Sequence, residues 1–123
     1  MIWLMVALGG AAGSVLRYGA GRLAVTYLGP FTVLDTLVVN VTGSFALGVF
    51  LSLSMERVSV SSTTWGLVAV GLLGGYTTFS TLSVEAIRLA ESGEVMKAGL
   101  SVAGNLVFGL LAAYLGFQAA RAF

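Results

Sequence analysis

The sequence predicts an all-α membrane protein of four transmembrane helices, the third broken near mid-membrane over Gly74–Thr78. Three observations predict it. Of 123 residues, 58% are hydrophobic and only 9% are charged, where a soluble domain carries about 25% charged residues. The charges leave long runs empty of them: Met1–Leu16, then 20 residues over Thr36–Met55, 27 over Val58–Val84 and 23 over Ala98–Ala120. A helix of about 20 apolar residues crosses a bilayer. Inside the third run stands GGYTTFSTLSVE, Gly74–Glu85, where paired glycines lead into a series of hydroxyls.

These runs place spans at about residues 2–26, 31–54, 63–90 and 95–120, in a single four-helix domain over residues 1–123 with no room for a soluble catalytic or regulatory domain. The first span lacks the basic start of a signal peptide and runs straight into Arg17 and Arg22. It carries Gly9 and Gly13 in a GxxxG spacing with Gly10 and Ser14 beside them. Arg17 lies 15 residues after Ile2, about 23 Å along a helix at about 1.5 Å per residue. It reads either as an arginine snorkelling to the far interface or as a cation at the vestibule of an anion path. Gly29-Pro30 turns the chain. In the second span Asn40, Gly43, Ser44, Leu47 and Gly48 share one helical face. An amide facing lipid leaves donors and an acceptor unpaired, so Asn40 reads equally as interhelical glue or as pore lining. Ser101, Asn105, Gly109, Ala112 and Gly116 make a similar face on span four. Small faces let helices approach closely in lipid. Four short spans are too few to enclose and protect a pore, so these faces are read as contacts of an oligomer.

Trp3, Trp65, Tyr114 and Phe117 fall at one membrane surface, Tyr27 and Phe31 at the other, as interfacial anchors do. Arg57 and Arg121 lie on the side of the termini; Arg22, Arg88 and Lys97 lie on the opposite side. That near balance barely sets an orientation, and it reads equally as insertion both ways round or as a modest bias that the cell resolves. There is no Cys and no His, and the net charge is +1. Disulfides, thiolates, imidazole bases and His/Cys metal sites are excluded, and no basic stripe marks a nucleic-acid partner. An enzyme is not expected, because no convincing base accompanies the serines and threonines.

The third span holds the chemistry. Two adjacent glycines cost about 2 kcal/mol of helix propensity against alanine, and the hydroxyls that follow can bend a helix, so the helix is expected to unwind at Gly74-Gly75. Unwound backbone at membrane depth lines a cavity or lies buried in protein, and broken helices are recurrent ion sites. Hydroxyls, amides and the Phe79 ring edge supply donors, while the acids Asp35 and Glu85 stay near the span ends. That balance suits a small anion better than a cation.

GGAAGSVLRY (Gly9–Tyr18), NVTGSFALG (Asn40–Gly48) and above all GGYTTFSTLSVE resemble the Fluc fluoride channels, or CrcB family, over the whole chain. The resemblance implies passive fluoride export through the prokaryotic plasma membrane, by antiparallel, dual-topology dimers with two pores at the interface. It implies a structural Na+ held by the backbone carbonyls of Gly74 and Thr77, and an anion path along Asn40, Phe79, Ser80, Thr81, Arg17 and Glu85. The family pattern TTFSTF has Leu82 here in place of its second phenylalanine, so the expected partner is an identical chain or a related one that supplies the missing ring. Ser101 and Asn105 are the nearest candidates for the family's polar track on span four. A proton-coupled anion exporter with Glu85 as its titrating group, and a non-conducting structural membrane protein, are the alternatives.

Overall fold

The computed structural model describes residues 1–30 and 32–123; Phe31, read above as the start of span two and an interfacial anchor, lies outside the described residues. Every regular element among them is helical, and four stretches are long and apolar enough to cross a membrane. These four stretches make the chain a multi-pass membrane protein.

Helix α1 covers Ile2–Leu28 and ends on Gly29, whose φ of 97° is the left-handed conformation that glycine adopts without strain. Thr32 Oγ1 accepts the Leu34 N–H at 3.0 Å where α2, Leu34–Glu56, begins. The third span opens with α3, Ser62–Trp65, capped by Ser61 Oγ on the Thr64 N–H at 3.1 Å. It continues as a π-helix over Gly66–Leu73 and a short α4, Gly74–Tyr76. After an interruption at Thr77-Thr78 it resumes as α5, Phe79–Glu91. A turn at Gly93, φ 86°, leads into α6, Val95–Ala122.

Packing explains why the third span changes direction. Its first half, the π-helix and α4, lies against α1, whereas α5 lies against α6, and α2 packs along α6. One straight rod cannot serve both neighbours, and the interruption is where the span crosses from one to the other.

The small faces act inside the chain. A side chain on Gly9 or Gly13 would run into the backbone of Leu67 or Leu72, and one on Gly48 or Gly116 into the backbone of Ala113 or Phe45. The expectation that these faces join separate chains is therefore corrected: they bring α1 onto the third span and α2 onto α6. In lipid no hydrophobic drive holds helices together, so this close approach and the polar bonds beside it do. At one end Ser52 donates to the Phe117 carbonyl at 3.2 Å and Arg121 pairs with Glu56 at 2.8 Å.

The π-helix is not visible in a 3.6-residue periodicity. Its winding sets residues five apart above one another, and Gly66 and Gly71 have that spacing. A Cβ on Gly71 would stand 2.8 Å from the Val6 carbonyl oxygen and 3.0 Å from that of Gly66.

Candidate functional site

The interruption falls within the expected stretch but at its hydroxyl end. Gly74 and Gly75 remain helical; Thr77 and Thr78 carry the extended backbone, with ψ 157° and φ −152°. The paired glycines are therefore not the unwinding point. Gly75 admits α1 instead, since a Cβ there would sit 2.9 Å from the Gly10 carbonyl oxygen. The break is made by hydrogen bonds that outcompete the helix. Thr78 N–H, which would reach the Gly74 carbonyl in an uninterrupted helix, donates to Asn40 Oδ1 at 2.8 Å. Asn40 Nδ2 donates to the Thr78 carbonyl at 3.1 Å and to Asn105 Oδ1 at 2.9 Å, and Asn105 Nδ2 donates to the Ser101 carbonyl at 2.9 Å. Thr78 then caps the new helix, its Oγ1 accepting the Thr81 N–H at 3.2 Å.

The hydroxyls form a directed cluster. Thr78 Oγ1 donates to Thr81 Oγ1 at 3.0 Å and lies 3.2 Å from Ser80 Oγ. A hydroxyl has one proton, so Ser80 donates to Thr78 and the Thr81 proton stays free. Arg17 Nη1 reaches the Thr77 carbonyl at 3.2 Å. Its guanidinium thus turns inward to the break, and the snorkelling reading is set aside.

Two clefts meet at this wall. One of about 310 Å³ is lined by Arg17, Asp35, Thr36, Thr78 and Thr81 among others. Another, about 410 Å³, is lined by Asn40, Phe79, Leu82 and Asn105 with neighbours from α2 and α6. Thr78 lines both. Phe79 is 81% exposed on the single chain, while Leu82 is 7% exposed.

The sequence model described as CrcB-like protein, Camphor Resistance (CrcB) matches residues 4–117. The chain belongs to the CrcB family. It is 49% identical over 116 residues to a Thermus thermophilus protein named fluoride-specific ion channel FluC, covering 94% of this chain and 92% of that protein. Proteins of the same name from Rhizobium etli and Shewanella amazonensis are 42% and 45% identical, covering 97% and 94% of this chain and 95% and 92% of theirs. Those names are of ion channels, in line with the exclusion of an enzyme.

In this CrcB-family chain the break brings together Arg17, Asn40, Thr77, Ser80 and Thr81, with Gly74 one turn before. Glu85 stands one to two turns further along α5, where it accepts from Thr36 Oγ1 at 2.9 Å. It lines a wider cleft of about 700 Å³ with Asp35, Arg88, Glu94 and Lys97. Asp35 Oδ1 and Glu85 Oε2 are buried without a partner.

A sodium ion at the break would need backbone oxygens, because among the described residues no three His, Cys, Asp or Glu side chains gather to hold a metal. The Gly74 carbonyl fits that need, since Asn40 has taken the N–H that would bond it. Thr77 fits through its second lone pair, the first being engaged by Arg17.

Thr78 and Thr36 join the candidate site without having been singled out for it in the sequence. A threonine ahead of a restarting helix is an N-cap signal, and Thr36 lies one turn before Asn40 on the same face of α2. Both were legible by those rules.

Proposed function

We propose that the chain conducts fluoride passively across the plasma membrane, as an antiparallel pair of identical chains with two pores at their interface. The observation that carries this reading is the broken third span. Its backbone is held open by Asn40, and its walls offer the free Thr81 hydroxyl, the Arg17 guanidinium and the exposed Phe79 edge. A small anion is solvated by such donors, and the unwound backbone faces clefts as it must in a membrane. The relatives named as fluoride-specific channels support the choice of ion.

Leu82 lines the same cleft as Phe79, so each chain presents one ring, Phe79, and in a pair of identical chains the two Phe79 rings are the only ones at this position. The open face around Phe79 is where the inverted copy and its lipid surroundings meet the chain. Gly74 and Thr77 carbonyls would hold a structural sodium ion between the two breaks; its charge would draw the two carbonyl sets together. Arg17 orients the Thr77 carbonyl, and Thr36 holds the Glu85 carboxylate at the wide mouth of the path.

Fluoride release from liposomes containing this chain alone, followed with an ion-selective electrode, tests the proposal. Fluoride should leave while chloride stays. Release driven by a pH gradient with no fluoride gradient would move the reading to a coupled exporter, and no flux at all to a structural role.

A further inference from the structure

We propose that Asn105 is a positioning residue for anion passage: its amide oxygen fixes the orientation of the Asn40 amide that holds the third span open. The inference rests on the fluoride-channel reading and adds a residue whose work is done through another.

Hydrogen-bond polarity fixes both amides. The chain Thr78–Asn40–Asn105–Ser101 begins on a backbone N–H, which can only donate, and ends on a backbone carbonyl, which can only accept. Asn40 must therefore present Oδ1 to Thr78 N–H, 2.8 Å away, and Asn105 must present Nδ2 to the Ser101 carbonyl, 2.9 Å away. What remains between them is the Asn40 Nδ2 donor on the Asn105 Oδ1 acceptor at 2.9 Å. Turning the Asn105 amide over breaks two bonds at once, and turning the Asn40 amide over breaks three. Asn105 is 6% exposed and Ser101 8%, so the lost partners would be buried polar groups without replacement, each costly.

The consequence reaches the pore. Both Nδ2 protons of Asn40 are engaged, one by the Thr78 carbonyl at 3.1 Å and one by Asn105. An anion that uses Asn40 as a donor draws the proton from the Thr78 carbonyl. The Asn105 bond meanwhile keeps Oδ1 on Thr78 N–H, so the break does not close as the anion passes. Without Asn105, an anion that draws Nδ2 from the Thr78 carbonyl leaves the Asn40 amide held by Oδ1 alone; the amide can then rotate, and the Thr78 N–H can return to the Gly74 carbonyl.

Asn40 and Asn105 are the only two asparagines in the chain, which makes the test clean. In protein labelled with 15N-asparagine and held in micelles, the native chain should give two side-chain amide pairs, and titrated fluoride should shift the Asn40 pair. Asn105→Leu, close in size and without an acceptor, leaves one pair. That pair should move upfield and exchange faster with water, and fluoride flux in liposomes should fall at least tenfold. Asn105→Gln, which retains an amide, should recover part of both. An Asn40 pair at its native position in Asn105→Leu overturns the proposal, whether or not flux falls, and so does native flux in that variant. If Asn105→Leu does not fold, an Asn105→Gln chain that loses flux with its Asn40 pair unmoved overturns it equally. Absence of fluoride flux in the native chain counts against the channel reading, while the amide signals still decide the role of Asn105.

Discussion

Asn40 takes the place of a peptide group: its oxygen receives the Thr78 N–H and its nitrogen serves the Thr78 carbonyl. Asn40→Asp keeps the first bond and turns a carboxylate toward two acceptor oxygens, those of Thr78 and Asn105. It should lower the stability of the chain by about 1–3 kcal/mol, read from unfolding in a graded detergent mixture, as well as suppress flux. A variant as stable as the native chain would mean that Asn40 does not hold the break. Phe79 is the contrasting case, because its ring touches little of its own chain. Phe79→Ile should abolish most fluoride flux with the proposed dimer intact on a sizing column; loss of that dimer relative to the native chain would make the ring an assembly contact. That Asn40 needs a partner was legible from its amide in an apolar run. Which partner it has was not, because Thr78 and Asn105 are 38 and 65 residues away and only the packing of both α2 and α5 against α6 brings them together.

At the scale of the elements, the third span was legible as broken but not for the right reason. Helix propensity pointed at Gly74-Gly75, yet the interior of a membrane bundle rewards close approach more than propensity. The glycines stay helical against α1, and the hydroxyl pair next to them changes partner. The π-winding of Gly66–Leu73 left no mark in the apolar pattern, since every position there is hydrophobic or glycine. Two glycines on α1 separate the effects. Gly13→Ala drives a methyl into the Leu72 backbone, and overpacking of this kind costs about 1–3 kcal/mol. Gly10→Ala meets nothing within 4 Å and should leave stability unchanged or raised by up to about 1 kcal/mol of helix propensity. Thermal unfolding of the two variants side by side decides it: equal loss in both would show that α1 does not pack as described.

The whole molecule shows a wall without its other side. The four spans, their order and their membrane setting were legible because charge-free runs of sufficient length leave few alternatives. The role of the small faces was not, because close approach within a chain and between chains asks for the same residues. Since the chain has no cysteine, a single cysteine in place of the exposed Glu91 reports orientation directly. In intact cells an impermeant thiol reagent should modify about half of such chains; modification of all or none would contradict an antiparallel pair. The central claim is fluoride passage along the break, and the most direct measurement is anion efflux from liposomes containing this chain alone. The account predicts rapid fluoride release with chloride retained; equal release of both anions, or release of neither, would contradict it.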